Sequence, residues 1–259
     1  MIAQFDSTKE ATDAFRKIFQ GRNWLLGLPN FAGTTVIAAF AFAAFVTTWF
    51  SIVANLFAAF AKVGPAAVPT ISPAQVYFIV FAAIFFVLLT LVVGAYTYGW
   101  SLAAAVSTWS GEAPALGPGA KTALLKLWPL IAFTLIVTLL SIISLVTIVG
   151  PIVIAVLAMY GPCYIVFKNR SAVEALSDSC RLAAQNLTPT AIVALFLGGA
   201  YIVGLALTMM LGTFLGPLAT TAFTWLFGAY SALAIVRFFN LLTPRAAPRA
   251  IARSEPATP

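Results

Sequence analysis

The chain has 259 residues, 62% of them hydrophobic and only 8% charged, with a mean hydropathy of +1.02. A soluble domain carries about 25% charged residues, so a water-exposed globule is excluded and the length suits one compact helical membrane bundle. The net charge of +7 does not point to nucleic acid, because most basic residues sit at the ends of apolar stretches, where they orient a membrane chain and meet anionic lipid.

In chain order, residues 1–23 read as an N-terminal interfacial amphipathic helix. Ser7 and Glu10 have the spacing of a capping box, and Ala11, Ala14, Phe15, Ile18 and Phe19 form one apolar stripe. Gly21-Arg22-Asn23 ends that helix and Trp24 marks the interface. From Phe31 to Ala61 the chain is apolar, longer than the ~20 residues one upright span needs. The expectation is a span that continues, beyond Trp49 and Phe50, into an outer interfacial helix. Gly64-Pro65 and Pro69 break the chain, and a second span runs from Ala74 past Tyr96, Tyr98 and Trp100 to Trp109.

The connection 111–127 begins rich in Gly and Pro and ends in a short stripe, Ala120, Ala123, Leu124 and Leu127, beside Lys121 and Lys126. A third span is expected over 128–149 and a fourth from Gly150-Pro151 to Phe167, kinked at Gly161-Pro162 because proline removes a backbone bond. The connector 169–188 is the one internal segment where charges cluster. Ser171 and Glu174 make a capping box there. Val173, Leu176, Cys180, Ala184 and Leu187 recur at helical spacing, predicting a second interfacial helix with that apolar face. The fifth span covers 189–212, the Gly212–Pro217 stretch turns the chain, and the sixth reaches Leu242. The tail, 243–259, is basic, proline-rich and expected to be disordered.

The fold class is therefore all-α: a polytopic membrane protein in which residues 24–242 form six transmembrane helices in three hairpins, about 29–110, 128–168 and 189–242. Cytoplasmic amphipathic helices precede the hairpins. Of fourteen Lys and Arg residues, all but Lys62 fall at the N-terminus, the two even connections or the C-terminal end. That asymmetry puts both termini in the cytoplasm of a plasma (inner) membrane. Gly-Pro at 64–65, 150–151 and 216–217, and prolines at 29, 129 and 189, suggest a pseudo-threefold repeat, although Gly-Pro is also common in turns.

The segment GPCYIVFKNRSAVEALSDSCRLAAQNLTPTAIVALFL resembles the connector of poorly characterised bacterial six-helix membrane proteins, among them the membrane domain fused to some glycerophosphodiester phosphodiesterases. Lys168, Arg170, Ala175, Leu176, Ser179 and Asn186 carry the likeness. It implies a six-helix layout. It brings no catalytic residue, since the phosphodiesterase domain of those relatives has no counterpart here.

No reaction is legible. Histidine is absent, so the commonest metal ligand and general base are missing, and Cys163 and Cys180 support neither a disulfide nor a thiolate metal site. Residues 25–61, 63–111, 127–167 and 182–236 hold no Asp, Glu, Lys or Arg, which disfavours proton coupling and intramembrane hydrolysis. The reading is no enzyme, no cofactor and no metal.

Two residue groups remain as candidates. Arg16, Lys17, Arg22, Lys121, Lys126, Lys168, Arg170 and Arg181 are candidate contacts for anionic lipid headgroups on the cytoplasmic side, although setting topology, with Arg–Glu pairing along the connector, accounts for them without a specific lipid site. Small and hydroxyl residues recur at helical spacing: Thr90, Gly94, Thr97 and Ser101 in the second span; Thr134, Thr138 and Ser141 in the third; Thr221, Thr224, Gly228 and Ser231 in the sixth. They read as close helix packing or as a weakly polar path. The expected function is a non-catalytic membrane protein, either lipid-interacting and structural or an accessory subunit bound to other membrane protein subunits. The alternative is a transporter or exporter of a small amphipathic solute without intramembrane proton-coupling residues.

Overall fold

The computed structural model describes residues 6–63, 71–147 and 149–243, and every regular element among them is helical. In chain order these are α1 (Ser7–Ile18), a 3-10 turn (Asn23–Gly27), α2 (Leu28–Val63), α3 (Pro73–Trp109), α4 (Leu116–Leu125), α5 (Leu127–Ser144), α6 (Gly150–Ala158), α7 (Gly161–Lys168), α8 (Ala172–Gln185), α9 (Leu187–Met210) and α10 (Gly212–Leu242). Six stretches are long and apolar enough to cross a membrane: 23–61, α3, α5, 150–168, α9 and 219–242. Pro29, Pro129 and Pro189 occupy the second or third position of α2, α5 and α9. There proline's missing N–H would have had no helical partner, so these helices start where the sequence lets them.

Several boundaries differ from expectation. The cap of α1 is Asp6, not Ser7: its carboxylate accepts the N–H groups of Thr8 and Lys9 at 3.0 and 3.1 Å, while Ser7 lies buried inside the helix. A carboxylate also complements the positive end of the helix dipole, which favours Asp6 over the neighbouring hydroxyl. Ala11, Ala14 and Ile18 are fully buried, with α1 packed on α9 and α10, whereas Phe15 and Phe19 of the expected stripe face outward, 50% and 63% exposed. The helix α2 runs unbroken through Trp49 and Phe50 for 36 residues, so the stretch beyond them continues the span with no break before Val63. At ~1.5 Å per residue α2 is ~54 Å long, well beyond a hydrocarbon core of ~30 Å.

The third span ends at Ser144, short of 149. The chain reverses at Gly212, whose φ of +67° is cheap only for glycine, and Gly216-Pro217 sit within α10 rather than in the turn. Proline there costs the helix one backbone bond near its start. Gly150-Pro151 do open α6. Gly64-Pro65, Pro69 and the tail 244–259 lie outside the described residues.

The core gathers at one end of the bundle, where the last turns of α3 and α10 meet α1, α7 and α9 around Leu102, Tyr160, Val193, Leu233 and Phe238. A second cluster, with Leu130, Phe133, Ile165 and Ala175, joins α5, α7 and α8. The fourth span is interrupted between Ala158 and Gly161, at Gly161-Pro162. Ser179 of α8 fills that break: its hydroxyl donates to the Leu157 carbonyl at 2.7 Å and accepts the Tyr160 N–H at 3.1 Å.

The connector helix α8 begins on its capping box. The Ser171 N–H donates to Glu174 and the Ser171 hydroxyl accepts the Glu174 N–H, at 3.0 and 3.4 Å. These bonds hold the Glu174 carboxyl below its usual range. The face of α8 that packs on the protein is a different one from the apolar stripe expected to meet lipid. Ala172, Ala175, Ser179, Leu182 and Ala183 are buried, with α8 packed on α5, α6 and α7, whereas Val173 and Leu187 are 68% and 63% exposed. Ala184 is also exposed, and Leu176 and Cys180 are half-buried. Small residues let two backbones approach closely, so in a bundle bathed by lipid they, rather than the largest apolar side chains, take the contact.

Candidate functional site

Two of the three hydroxyl stripes are brought together. Gly94 and Thr97 of α3 and Thr224, Gly228 and Ser231 of α10 line one cavity of about 420 Å³, closed by Asn30, Gly33 and Thr34 of α2 and Leu197 of α9. Ile37, Tyr98, Phe227 and Ile235 complete a mostly apolar wall. Two glycines are explained by close approach: a Cβ on Gly33 would stand 2.6 Å from Thr97 Cγ2, and one on Gly228 only 2.1 Å from Asn30 Nδ2. A Cβ on Gly94 would meet nothing within 4 Å, so the missing side chain there is part of the cavity's volume.

Asn30 ties α2 to α3. Its Nδ2 donates to Ser101 Oγ at 3.2 Å, and that hydroxyl in turn donates to the Leu26 carbonyl at 3.4 Å. Ser101 therefore stands beside the cavity as a structural link. The lining hydroxyls of Thr97, Thr224 and Ser231 donate to carbonyls of their own helices, those of Gly94, Thr220 and Gly228, at 3.3, 2.8 and 3.1 Å. Their protons are thereby used and their oxygens remain as acceptors. Among the described residues the Asn30 side-chain carbonyl and the hydroxyls of Thr34 and Tyr98 have no protein partner. A largely apolar cavity with a few placed polar atoms, of ~300–1,000 Å³, is what small ligands occupy.

The other stripe residues stay apart. Thr90 is exposed and bonds the Phe86 carbonyl, Thr134 bonds that of Leu130, Thr138 and Thr221 are exposed, and Ser141 is half-buried. On α9, Gly204 serves packing, since a Cβ there would sit 1.9 Å from the Phe223 ring.

The basic residues are spread over α1 and the turn after it, α4 and its end, and α7 through α8. Arg16, Arg22, Lys121, Lys168 and Arg181 are exposed. Arg170 pairs with Asp178 at 3.2 Å, and Lys126 bonds the Asn169 side chain. Lys17 stands over the Trp109 ring, 5.0 Å from its centroid. The sequence reading missed the partner of that ring. Arg237 lies 4.8 Å from the same centroid and pairs with Glu10 at 2.7 Å, while Trp109 Nε1 donates to the Leu233 carbonyl at 3.1 Å. Arg237 interrupts an otherwise apolar last span, and that position was the available signal. Asn30, the one amide near the start of α2, was the signal for the cavity.

No protein-family model, curated protein or solved structure matches this chain.

Proposed function

We propose that the chain is a non-catalytic, lipid-interacting protein of the plasma membrane that holds an amphipathic molecule in the cavity between α2, α3, α9 and α10. The observation that carries this reading is the convergence of the α3 and α10 stripes on one cavity that also holds Asn30 and Tyr98. If the stripes served packing alone, their small residues would be in contact, as Gly204 is with Phe223. Gly228 does pack in this way, against Asn30, but Gly94 borders open volume. The apolar wall suits acyl or other hydrocarbon groups, and the free oxygens suit one hydroxyl or amide on the guest.

The same proposal includes cytoplasmic termini, by the distribution of Lys and Arg, and interfacial positions for α1, α4 and α8. It also includes a pseudo-threefold architecture. The order of short helix, span, span recurs as α1–α2–α3, α4–α5–α6/α7 and α8–α9–α10, which supports it. A second reading, an accessory subunit, is favoured by one further observation. The outer part of the first hairpin exposes Phe42, Phe45, Trp49, Phe50, Phe57, Tyr77 and Phe81, each at least 56% accessible.

A cavity-filling substitution tests the principal reading. Gly94→Leu has room for its Cβ, so the fold is expected to persist while the guest is excluded. Native mass spectrometry of protein in mild detergent should show a retained amphipathic molecule in wild type and its loss in Gly94→Leu at an unchanged melting temperature. Identical retention in both would overturn the assignment to this cavity.

A further inference from the structure

Away from the intramembrane cavity, the turn after α1 and the end of α3 enclose a polar pocket of about 360 Å³. Its wall carries two cations, Lys17 and Arg22, one carboxylate, Glu112, and the side chains of Gln20, Asn23 and Thr108. We propose that this pocket binds a phosphoethanolamine group, with the phosphate held by Lys17, Arg22 and Thr108 and the ammonium by Glu112.

The charges are the first reason. Neither Arg22 nor Glu112 forms an ion pair among the described residues, and Lys17 rests on the Trp109 ring. Two cations share the pocket with one carboxylate without closing on it, so both signs remain available. A simple anion would satisfy the cations and be repelled by Glu112. A zwitterion with its phosphate beside a primary ammonium satisfies all three.

Thr108 is the second reason. Thr12, Thr35, Thr48, Thr90, Thr122 and Thr134 each donate to the carbonyl four residues back. Thr108 does not: its hydroxyl is buried and makes no hydrogen bond, and the Ala104 carbonyl it would use accepts from Ser107 at 3.1 Å instead. A buried hydroxyl without a partner is costly, and a phosphate oxygen in the pocket is the acceptor it lacks. The N–H groups of Gly21, Arg22 and Ala113, all lining residues, also donate to nothing among the described residues. Phe19 and Trp24, next in the chain to the lining residues Gln20 and Asn23, are 63% and 45% exposed, which gives acyl chains an apolar place to lie. The ligand is thus either a phospholipid headgroup or the free soluble group, and only that choice of source rests on the lipid-interacting reading above.

The test uses nanodiscs of equimolar phosphatidylethanolamine, phosphatidylglycerol and phosphatidylcholine, with native mass spectrometry of the lipid retained on release. Wild type should keep phosphatidylethanolamine about tenfold above the other two, roughly one hydrogen-bonded charge contact in size. Arg22→Gln should lower that retention about tenfold, and Thr108→Val severalfold. Glu112→Gln should erase the preference for ethanolamine over glycerol. Arg22 and Glu112 are exposed, so their variants should keep the wild-type melting temperature. Competition by soluble O-phosphoethanolamine separates the sources: displacement of the lipid assigns the free group, and none assigns the phospholipid. Gly94→Leu, which fills the other cavity, should leave the preference unchanged, so failure of one site is not failure of the other. Equal retention of the three lipids by wild type, or a preference that survives both Arg22→Gln and Glu112→Gln, would overturn the proposal.

Discussion

The hydroxyl of Ser179 accepts the backbone N–H of Tyr160 at 3.1 Å, and the bond joins two helices that are otherwise separate in the chain. Pro162 has no N–H, so the fourth span cannot continue its ladder past Ala158; at the break Tyr160 is buried and Leu157 half-buried. One hydroxyl satisfies a backbone group of each, because it donates to Leu157 as it accepts from Tyr160. Tyr160 in turn reaches α9, its hydroxyl 3.4 Å from that of Thr190. Removing the hydroxyl in Ser179→Ala should cost about 1–3 kcal/mol, since both groups are left unpaired away from water. Thermal unfolding in detergent would read this as a lowered melting temperature, whereas Ser177→Ala, at an exposed position, should change little.

The Glu10–Arg237 pair fastens the N-terminal helix to the last span. Its side chains are 17% and 32% exposed, so solvent screens it in part. Glu10→Gln or Arg237→Gln alone should each destabilise by about 1–3 kcal/mol, because the remaining charge keeps its desolvation cost without its partner. The double variant should cost less than the sum of the two. Strict additivity in this cycle would mean the contact contributes nothing.

Gly228→Ala places a methyl group 2.1 Å from Asn30 Nδ2, so Asn30 must leave Ser101. Overpacking of this kind costs about 1–3 kcal/mol. The expected readout is a lower melting temperature for Gly228→Ala and none for Gly198→Ala, whose Cβ would meet nothing within 4 Å.

A pH effect follows from the capping box of α8. Hydrogen bonds from Ser171 lower the folded-state pKa of Glu174 below its ordinary value of 4.5. The contribution is therefore complete above that value and is lost as pH falls through the lower, folded pKa. Amide exchange over residues 172–175, corrected for intrinsic rates, should be faster in Glu174→Ala than in wild type at pH near neutral. The two should converge in acid.

Much of the helical plan was legible because its causes are local. Prolines at 29, 129 and 189 mark helix starts, Gly161-Pro162 marks a break, and Ser171 with Glu174 marks a cap, each through a backbone bond made or withheld. Faces were less legible. On α8 apolar periodicity picked out Val173 and Leu187, but lipid accepts large apolar side chains as readily as a protein core does, so the contact went to Ala175, Ser179 and Ala183. The stripes on α3, α5 and α10 look alike in sequence. Only the packing of α3 with α2 and α10 decides that Thr97 and Thr224 share a cavity while Thr134 does not. Arg237 was read with the basic C-terminal end, because pairing with Glu10, far away in the chain, leaves no local trace.

The most direct measurement places a photoreactive benzoylphenylalanine at Phe227, which lines the cavity, and in a control at Phe81, which is 68% exposed on the first hairpin. Illumination in native membranes, followed by mass spectrometry, identifies what each position touches. An occupied cavity predicts one dominant adduct at 227, of a single amphipathic mass, against a mixture of bulk lipids at 81. The same lipid mixture at both positions, or only cross-links within the protein at 227, would contradict it.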